Sequence, residues 1–245
     1  MERNIIAYEK DYIDTSNGFE QYKVIYRRKK ILEIIDHYRP ETILEIGCGL
    51  RPLFLYAKEY SFTIVEPSEK FYKNAKELSV NHKNVTCIKE VFEEVASELD
   101  KKYDMIVCSS LLHEVMDPVK LLKAIGMVCN KDTVVHINVP NAYSLHRLLG
   151  VEVGLLTDVF AKSEGNIKFQ QNTNFDMKRL RDMCEETEMN ILEEGSYFIK
   201  PFSHMQMAAM MEKGIIDERV LDGLYSLSRY MPQFGSELYI NCRIK

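Results

Sequence analysis

Apolar residues near the start of the chain recur at helical spacing. Tyr22, Ile25, Tyr26, Ile31, Ile34 and Ile35 fall on one face between Glu20 and about His37, and Pro40 ends the segment. The 19 residues before it are polar and tyrosine-rich and close near the turn signal Asn17-Gly18. From residue 42 the pattern changes to short apolar, β-branched runs at 42–46, 61–66, 85–88, 103–108 and 132–139, which read as strands. Helical stretches separate them: about 52–59, Pro67 to about Ser79, Phe92 to Leu99, and a helix opened by Asp117-Pro118 that runs through Leu121, Leu122 and Ile125. Such alternation with short connections predicts right-handed βαβ units and an α/β, doubly wound, mostly parallel sheet of Rossmann-like type.

The alternation stops at Pro140. Residues 140–175 carry no strong strand pattern, with a short helix expected at Leu145–Leu149. Helical spacing returns from Met177 to Met189, a strand is expected at 191–199, and a methionine-rich helix over 202–230. Residues 238–244 end the chain as a strand that would lie antiparallel within the sheet. The expected organisation is an N-terminal helical cap, 1–39, and one domain, 40–245, with insertions at about 140–175 and 201–235.

Composition narrows the function. Hydrophobic residues make up 46% and charged residues 28% of 245, an ordinary globular balance. With a net charge of −5, the basic block is confined to Arg27-Arg28-Lys29-Lys30, which argues against sequence-independent binding to nucleic acid. That tetrad reads as the wet side of a helix. Six cysteines show no CxxC or clustered Cys/His spacing, so buried free thiols in a reducing compartment are expected. No apolar run approaches the length of a membrane span and no signal peptide opens the chain, so a cytoplasmic protein is the expectation.

The chemistry gathers at the strand ends. The first strand runs into Glu45-Ile46-Gly47-Cys48-Gly49, a glycine turn where backbone can approach a ligand closely, and Pro52 suits the start of a helix. The second ends in Glu66, 17 positions after Gly49, where a carboxylate can bridge the two hydroxyls of a ribose. The third ends in Lys89-Glu90-Val91, where a carboxylate and the following N–H can meet an adenine. The fourth ends in Cys108-Ser109-Ser110-Leu111-Leu112-His113-Glu114, where a carbonyl and apolar side chains would wall in the ligand.

These segments, Leu44-Glu45-Ile46-Gly47-Cys48-Gly49, Thr63-Ile64-Val65-Glu66-Pro67 and Tyr103-Asp104-Met105-Ile106-Val107-Cys108-Ser109 with Leu112 and Asp117-Pro118, resemble the class I S-adenosylmethionine-dependent methyltransferases over roughly residues 40–140. The resemblance implies a seven-stranded sheet with the last strand antiparallel, and S-adenosylmethionine as cofactor. It implies that Gly47 and Gly49 meet the methionine moiety, with Glu45, Cys48 and Pro67 in the same motifs. Glu66 would take the ribose, Glu90 and Val91 the adenine, and Ser109, with Ser110 and Leu111, the methionine end. Arg51 stands where the family often has a third glycine, and can place a guanidinium near the cofactor carboxylate. Residues Val139–Arg147 and Lys200–Met207 are similar to methyltransferases of bacterial surface-polysaccharide biosynthesis.

Methyl transfer from a sulfonium is an in-line displacement governed by positioning, and an oxygen acceptor of high pKa also needs a base within reach. His113, His146 and His204 are the candidates, whereas His136 lies inside a strand and reads as structural. Tyr8, Tyr12 and Tyr22 would lid the site, their faces suiting a cation. Asn138 and Asn141 would either hold acceptor hydroxyls or cap a turn. Cys48 reads as a small apolar neighbour of the ligand rather than a nucleophile.

The expected partner is a small polar acceptor such as a hydroxyl of a sugar or nucleotide-linked sugar, with carboxylate or amine acceptors as alternatives. Strand four lacks the Asn/Asp-Pro-Pro-Tyr sequence of enzymes that methylate base amino groups, and no acidic cluster is set up to hold a metal. A nicotinamide-dependent dehydrogenase is disfavoured because Pro52 stands where its fingerprint wants Gly or Ala. A catalytically silent binding scaffold is the rival from another class. The apolar positions of 202–230 would also serve as a homodimer surface.

Overall fold

In the computed structural model, residues 18–99, 103–162, 166, 167 and 170–245 are described, together with Ile5, Ala7 and Glu9. Tyr8 and Tyr12 lie outside the described residues. The chain runs α1 (Glu20–Tyr38), β1 (Thr42–Ile46), β2 (Ser61–Val65), α2 (Glu69–Leu78), β3 (Val85–Ile88), α3 (Phe92–Val95), β4 (Met105–Ser109), α4 (Pro118–Met127) and β5 (Val134–Pro140). It continues through α5 (Leu145–Glu152), α6 (Met177–Glu186), β6 (Met189–Tyr197), α7 (His204–Glu212), α8 (Glu218–Ser226) and β7 (Glu237–Ile244).

The seven strands form one sheet in the order β3-β2-β1-β4-β5-β7-β6. The first five strands pair in parallel, and β7 is antiparallel to both of its neighbours, β5 and β6. This is the doubly wound, Rossmann-like sheet the alternation predicted. Its two faces follow from the two-residue period of a strand. Leu44, Ile106, Cys108, Val135, Ile137 and Ile240 pack on one face with Leu121, Leu122 and Ile125 of α4 and Leu180 of α6. Ile43, Met105, Val107 and Tyr239 pack on the other with Tyr26, Ile31, Ile34 and Ile35 of α1 and Leu221 and Tyr225 of α8. On that second face the strands also carry polar residues: Glu45, Ser109, His136, Asn138, Glu237 and Asn241 continue the same alternation.

Two expected helices are corrected. The stretch 52–59 forms only a 3₁₀ turn, Leu53–Leu55, because Pro52 stays extended at ψ 148° and Leu53 and Phe54 turn into the core. The stretch 202–230 is two helices rather than one. Gly214 breaks it at φ 65°, and Asp217 restarts it as an N-cap that accepts from the Val220 N–H. Strand β6 begins at Met189, two residues early, and ends at Tyr197 because Phe198 takes a left-handed φ of 59°. Among the described residues no helix is long and apolar enough to cross a membrane.

Candidate active site

Strands β1 and β4 are neighbours, yet their connections leave in opposite directions, so a crevice opens at their carboxyl ends. The turn after β1 builds its floor. Gly47 and Gly49 hold φ of 75° and 56°, a region costly for any side chain, and the Gly47 N–H donates to the Val65 carbonyl at 2.9 Å. Carboxylates grip this turn from two sides. Glu45 accepts from the Leu53 N–H at 3.0 Å, closing the far end of the loop. Glu66 accepts from the N–H groups of Cys48 (2.9 Å) and Gly49 (3.3 Å) through one oxygen, and from Ser68 (2.9 Å) through the other. The Asn74 side chain also donates to the Leu50 carbonyl at 2.9 Å. Arg51 stands exposed at the tip.

Both carboxylates are buried. Burial raises Glu45 to about 8, with the Leu53 N–H offsetting part of this and the neighbouring Glu66 adding to it. Burial also raises Glu66, against the pull of its three backbone donors. The Cys48 thiol is pushed far up by burial and by both carboxylates, so it cannot act as a thiolate nucleophile. Ser68 Oγ donates to Glu9 at 2.6 Å, which brings a residue from before α1 beside the end of β2. Glu90 and Val91 stand exposed at the end of β3, with the Val91 N–H donating to Glu90's own side chain.

At β4 a buried polar chain supports the wall. The Ser110 N–H donates to Asn138 Oδ1 at 3.0 Å, and Asn138 Nδ2 donates to Ser109 Oγ at 3.0 Å and contacts His136 Nε2 at 3.1 Å. His136 Nδ1 lies 2.8 Å from Asn241 Oδ1, and Asn241 Nδ2 donates to Glu193 at 3.0 Å. Because Asn241 spends its amide on Glu193, the His136 proton belongs on Nδ1, and Nε2 accepts from Asn138. Burial lowers His136 to about 4, so it stays neutral as this arrangement requires. Ser110 itself is held at φ 54°. Leu111 reaches across to Gly47, where a Cβ would sit 3.7 Å from its methyl.

This chain settles the two asparagines. Asn138 is fully buried and its amide is committed to Ser109, Ser110 and His136. Asn141 donates to the carbonyls of Gln233 and Gly235 and accepts from the Tyr143 N–H, so it organises a turn.

The histidines separate into two groups. His113 is buried after β4, its carbonyl accepting from the N–H groups of Asn172 and Thr173, and its Nε2 is 3.7 Å from Glu114. His146 and His204 instead come together around Lys200. Lys200, 1% exposed, donates to His204 Nδ1 at 2.8 Å, and His204 Nε2 donates to Glu20 at 3.1 Å. Glu237, at the start of β7, accepts from Lys23 (2.7 Å) and Arg27 (3.0 Å) of α1 through Oε1. Arg27 also reaches Glu20 at 3.3 Å.

The sequence reading named His146 and His204 but missed the ion pairs of Glu237 with Lys23 and Arg27 beside them. The reading of Arg27-Arg28-Lys29-Lys30 as a wet face fails at Arg27, which is buried against Glu237, and Arg28 lies 3.7 Å over the Tyr56 ring. The one signal available was the helical phase that puts Lys23 and Arg27 beside Tyr26 and Ile34. Their shared partner, Glu237, is more than 200 positions away in the chain.

Comparison with known proteins fits this geometry. A family model described as a methyltransferase domain matches residues 18–194. A ubiquinone biosynthesis O-methyltransferase of Nitrosomonas europaea is 27% identical over 133 residues, covering 51% of this chain and 56% of that protein. The chain thus spans little more than half the length of this curated relative. The crystal structure of the plantazolicin methyltransferase BamL, in complex with a triazolic desmethylPZN analog and SAH, has a TM-score of 0.59 at 16% identity over 98% of each chain. An S-adenosylmethionine-dependent methyltransferase from Clostridium acetobutylicum has a TM-score of 0.57 at 11% identity, covering 89% of this chain and 91% of that one. At such identities the solved structures speak for the fold, whereas the family match takes in most of the chain and the whole glycine-turn crevice. On that ground the chain belongs to the methyltransferase-domain family, among the class I S-adenosylmethionine-dependent methyltransferases.

Proposed function

We propose that the chain methylates a hydroxyl of a small polar acceptor, with a sugar or nucleotide-linked sugar as the acceptor class. The observation that carries the reading is the glycine turn gripped by Glu45 and Glu66 at the β1/β4 crevice. The residues present fit the cofactor. Gly47 and Gly49 leave backbone uncovered by side chains, and among the described residues Glu66 Oε1 accepts one N–H, keeping a lone pair for a ribose hydroxyl. Cys48 and Pro67 flank that carboxylate, Glu90 and Val91 would meet the adenine, and Ser109, Ser110 and Leu111 the methionine end. When bound, S-adenosylmethionine supplies an electrophilic methyl on a sulfonium.

Of the three histidines, His146 is the base in this reading. Its Nδ1 is buried with no hydrogen-bond partner among the described residues, whereas both nitrogens of His204 are engaged and His113, also buried, has its Nε2 3.7 Å from Glu114. Burial, then Lys200 and Lys23, hold His146 well below the usual histidine value, so it is uncharged and its free nitrogen can accept a hydrogen bond from the acceptor hydroxyl, although the same surroundings weaken it as a base. His204 acts as a positioning residue, and His113 shapes the loop after β4. The relative named for O-methylation supports an oxygen acceptor.

Calorimetric titration with S-adenosylmethionine, S-adenosylhomocysteine and NAD tests the cofactor reading. Both sulfur compounds should bind and NAD should not, and Glu66→Ala should weaken binding at least tenfold, about 1.4 kcal/mol. A folded protein that binds neither sulfur compound would instead be a silent scaffold.

A further inference from the structure

Around Glu237, three buried polar atoms have no hydrogen-bond partner among the described residues: Glu237 Oε2, His146 Nδ1 and the hydroxyl of Tyr197, which pairs with Glu237 across β6 and β7. Each such atom costs free energy unless a partner reaches it. Glu237 is 1% exposed, and its other oxygen already holds Lys23 and Arg27. Close by, Lys200 gives one N–H to His204 and, among the described residues, keeps at least one more to donate. The position is also informative. Glu237 pairs with Pro140 at the carboxyl edge of the sheet, on the face that carries Ser109. Two strand spacings, about 10 Å, separate β7 from β4.

Charge decides what can enter. Lys23 and Arg27 are matched by Glu20 and Glu237. Burial works against both carboxylates, but the two cations outweigh it, holding Glu237 at about 2 and Glu20 well below the usual range. An incoming anion would have to displace a carboxylate from these cations and would meet the bare Glu237 Oε2. An incoming ammonium would satisfy Glu237 but would enter beside Lys23 and Arg27, where burial and then Lys23 already push the Lys200 ammonium well below the usual lysine value. An uncharged hydroxyl escapes both penalties, since it donates to one group and accepts from another.

We propose that this cluster is the acceptor subsite and selects an uncharged, hydroxyl-bearing group that donates to Glu237 Oε2 and His146 Nδ1 and accepts from Lys200 Nζ. The proposal rests on the methyl-transfer reading for what the bound group is used for, not for its binding.

Three sugars of one ring shape and different charge test it: methyl α-D-glucopyranoside, D-glucosamine as its ammonium form, and D-glucuronate. Each is titrated into the full chain, with and without saturating S-adenosylhomocysteine, by calorimetry and by the imidazole nitrogen resonances of His146 and His204. The neutral sugar should bind at least tenfold more tightly than either charged one and shift the His146 resonances. His146→Phe and Lys200→Met should each weaken it severalfold, and both serve should Glu237→Gln fail to fold. Tighter binding of glucuronate or glucosamine, binding that leaves both histidines unmoved, or no binding by any of the three would overturn the subsite. Failure of S-adenosylhomocysteine alone to bind would instead count against the methyl-transfer reading, and the cofactor-free titrations would still decide the subsite.

Discussion

Glu45 and Glu237 are both buried carboxylates on the same face of one sheet, and their surroundings drive their proton affinities apart. Glu45 has one backbone donor and another carboxylate nearby, so burial wins and it sits at about 8. Glu237 has a lysine and an arginine at hydrogen-bond distance, which outweigh burial and hold it at about 2. The consequences for stability have opposite signs. An unfolded glutamate ionises near about 4.3. Between that pH and 8 the unfolded chain has released the Glu45 proton and the folded chain has kept it, so stability falls as pH rises through this window. Glu45→Gln keeps the neutral shape and removes the loss. Its melting temperature relative to the parent should therefore rise by a few degrees between pH 5 and pH 8, and a constant difference would show that Glu45 is already ionised in the fold. Glu237 contributes stability that is present above about pH 4.3 and is lost as pH falls towards 2. Glu237→Ala, which leaves Lys23 and Arg27 buried without their partner, should cost about 3–5 kcal/mol by denaturant unfolding near neutral pH.

At the scale of elements, β5 does more than carry the core. Its alternation sends Val135, Ile137 and Val139 to one face and His136 and Asn138 to the other, where they tie the end of β4 to β7. Ser110 holds its left-handed φ because Asn138 receives its N–H through both side-chain and backbone oxygens. Asn138→Leu should keep the strand and release the Ser109–Ser110 turn. S-adenosylhomocysteine affinity should drop roughly tenfold with a smaller relative loss of thermal stability, and unchanged affinity would show the turn to be held by other contacts. The entry to β7 is fixed by sterics. A Cβ on Gly235 would lie 2.5 Å from the Tyr197 backbone nitrogen, so Gly235→Ala must push β6 and β7 apart where Glu237 sits. A loss of about 1–3 kcal/mol is expected, with faster amide exchange at Tyr197 and Glu237 as the local signature.

Across the whole molecule, α1 is built into the methyltransferase fold rather than laid on it. Tyr26, Ile31, Ile34 and Ile35 join the core on the face of β1 and β4, while Lys23 and Arg27 reach the start of β7. Aromatic packing of Tyr26 between Phe198 (4.8 Å) and Tyr225 (5.5 Å) fastens the same helix to the segments after β6 and in α8. The proposed acceptor subsite therefore draws on four separate stretches of chain. Its integrity should track the docking of α1: in hydrogen exchange at pH 4, where Glu237 begins to lose its charge advantage, amides of α1 should exchange earlier than those of β1 and β4.

Local pattern by itself determined the strand–helix alternation, the parallel sheet and the strand-end residues Glu45, Gly47, Gly49, Glu66 and Ser109. Each depends on a period of two or 3.6 and on residues within a few positions of one another. It misjudged 52–59 and 202–230, where a proline's extended ψ and a glycine's positive φ broke helices that apolar spacing favoured. Only the tertiary structure decided which charges are buried. Arg27 looks like its basic neighbours in the sequence, and becomes a buried ion-pair donor because β7 returns antiparallel beside β5 and delivers Glu237 to it. Desolvation and pairing of charge depend on distance in space rather than along the chain, so no local pattern can carry them.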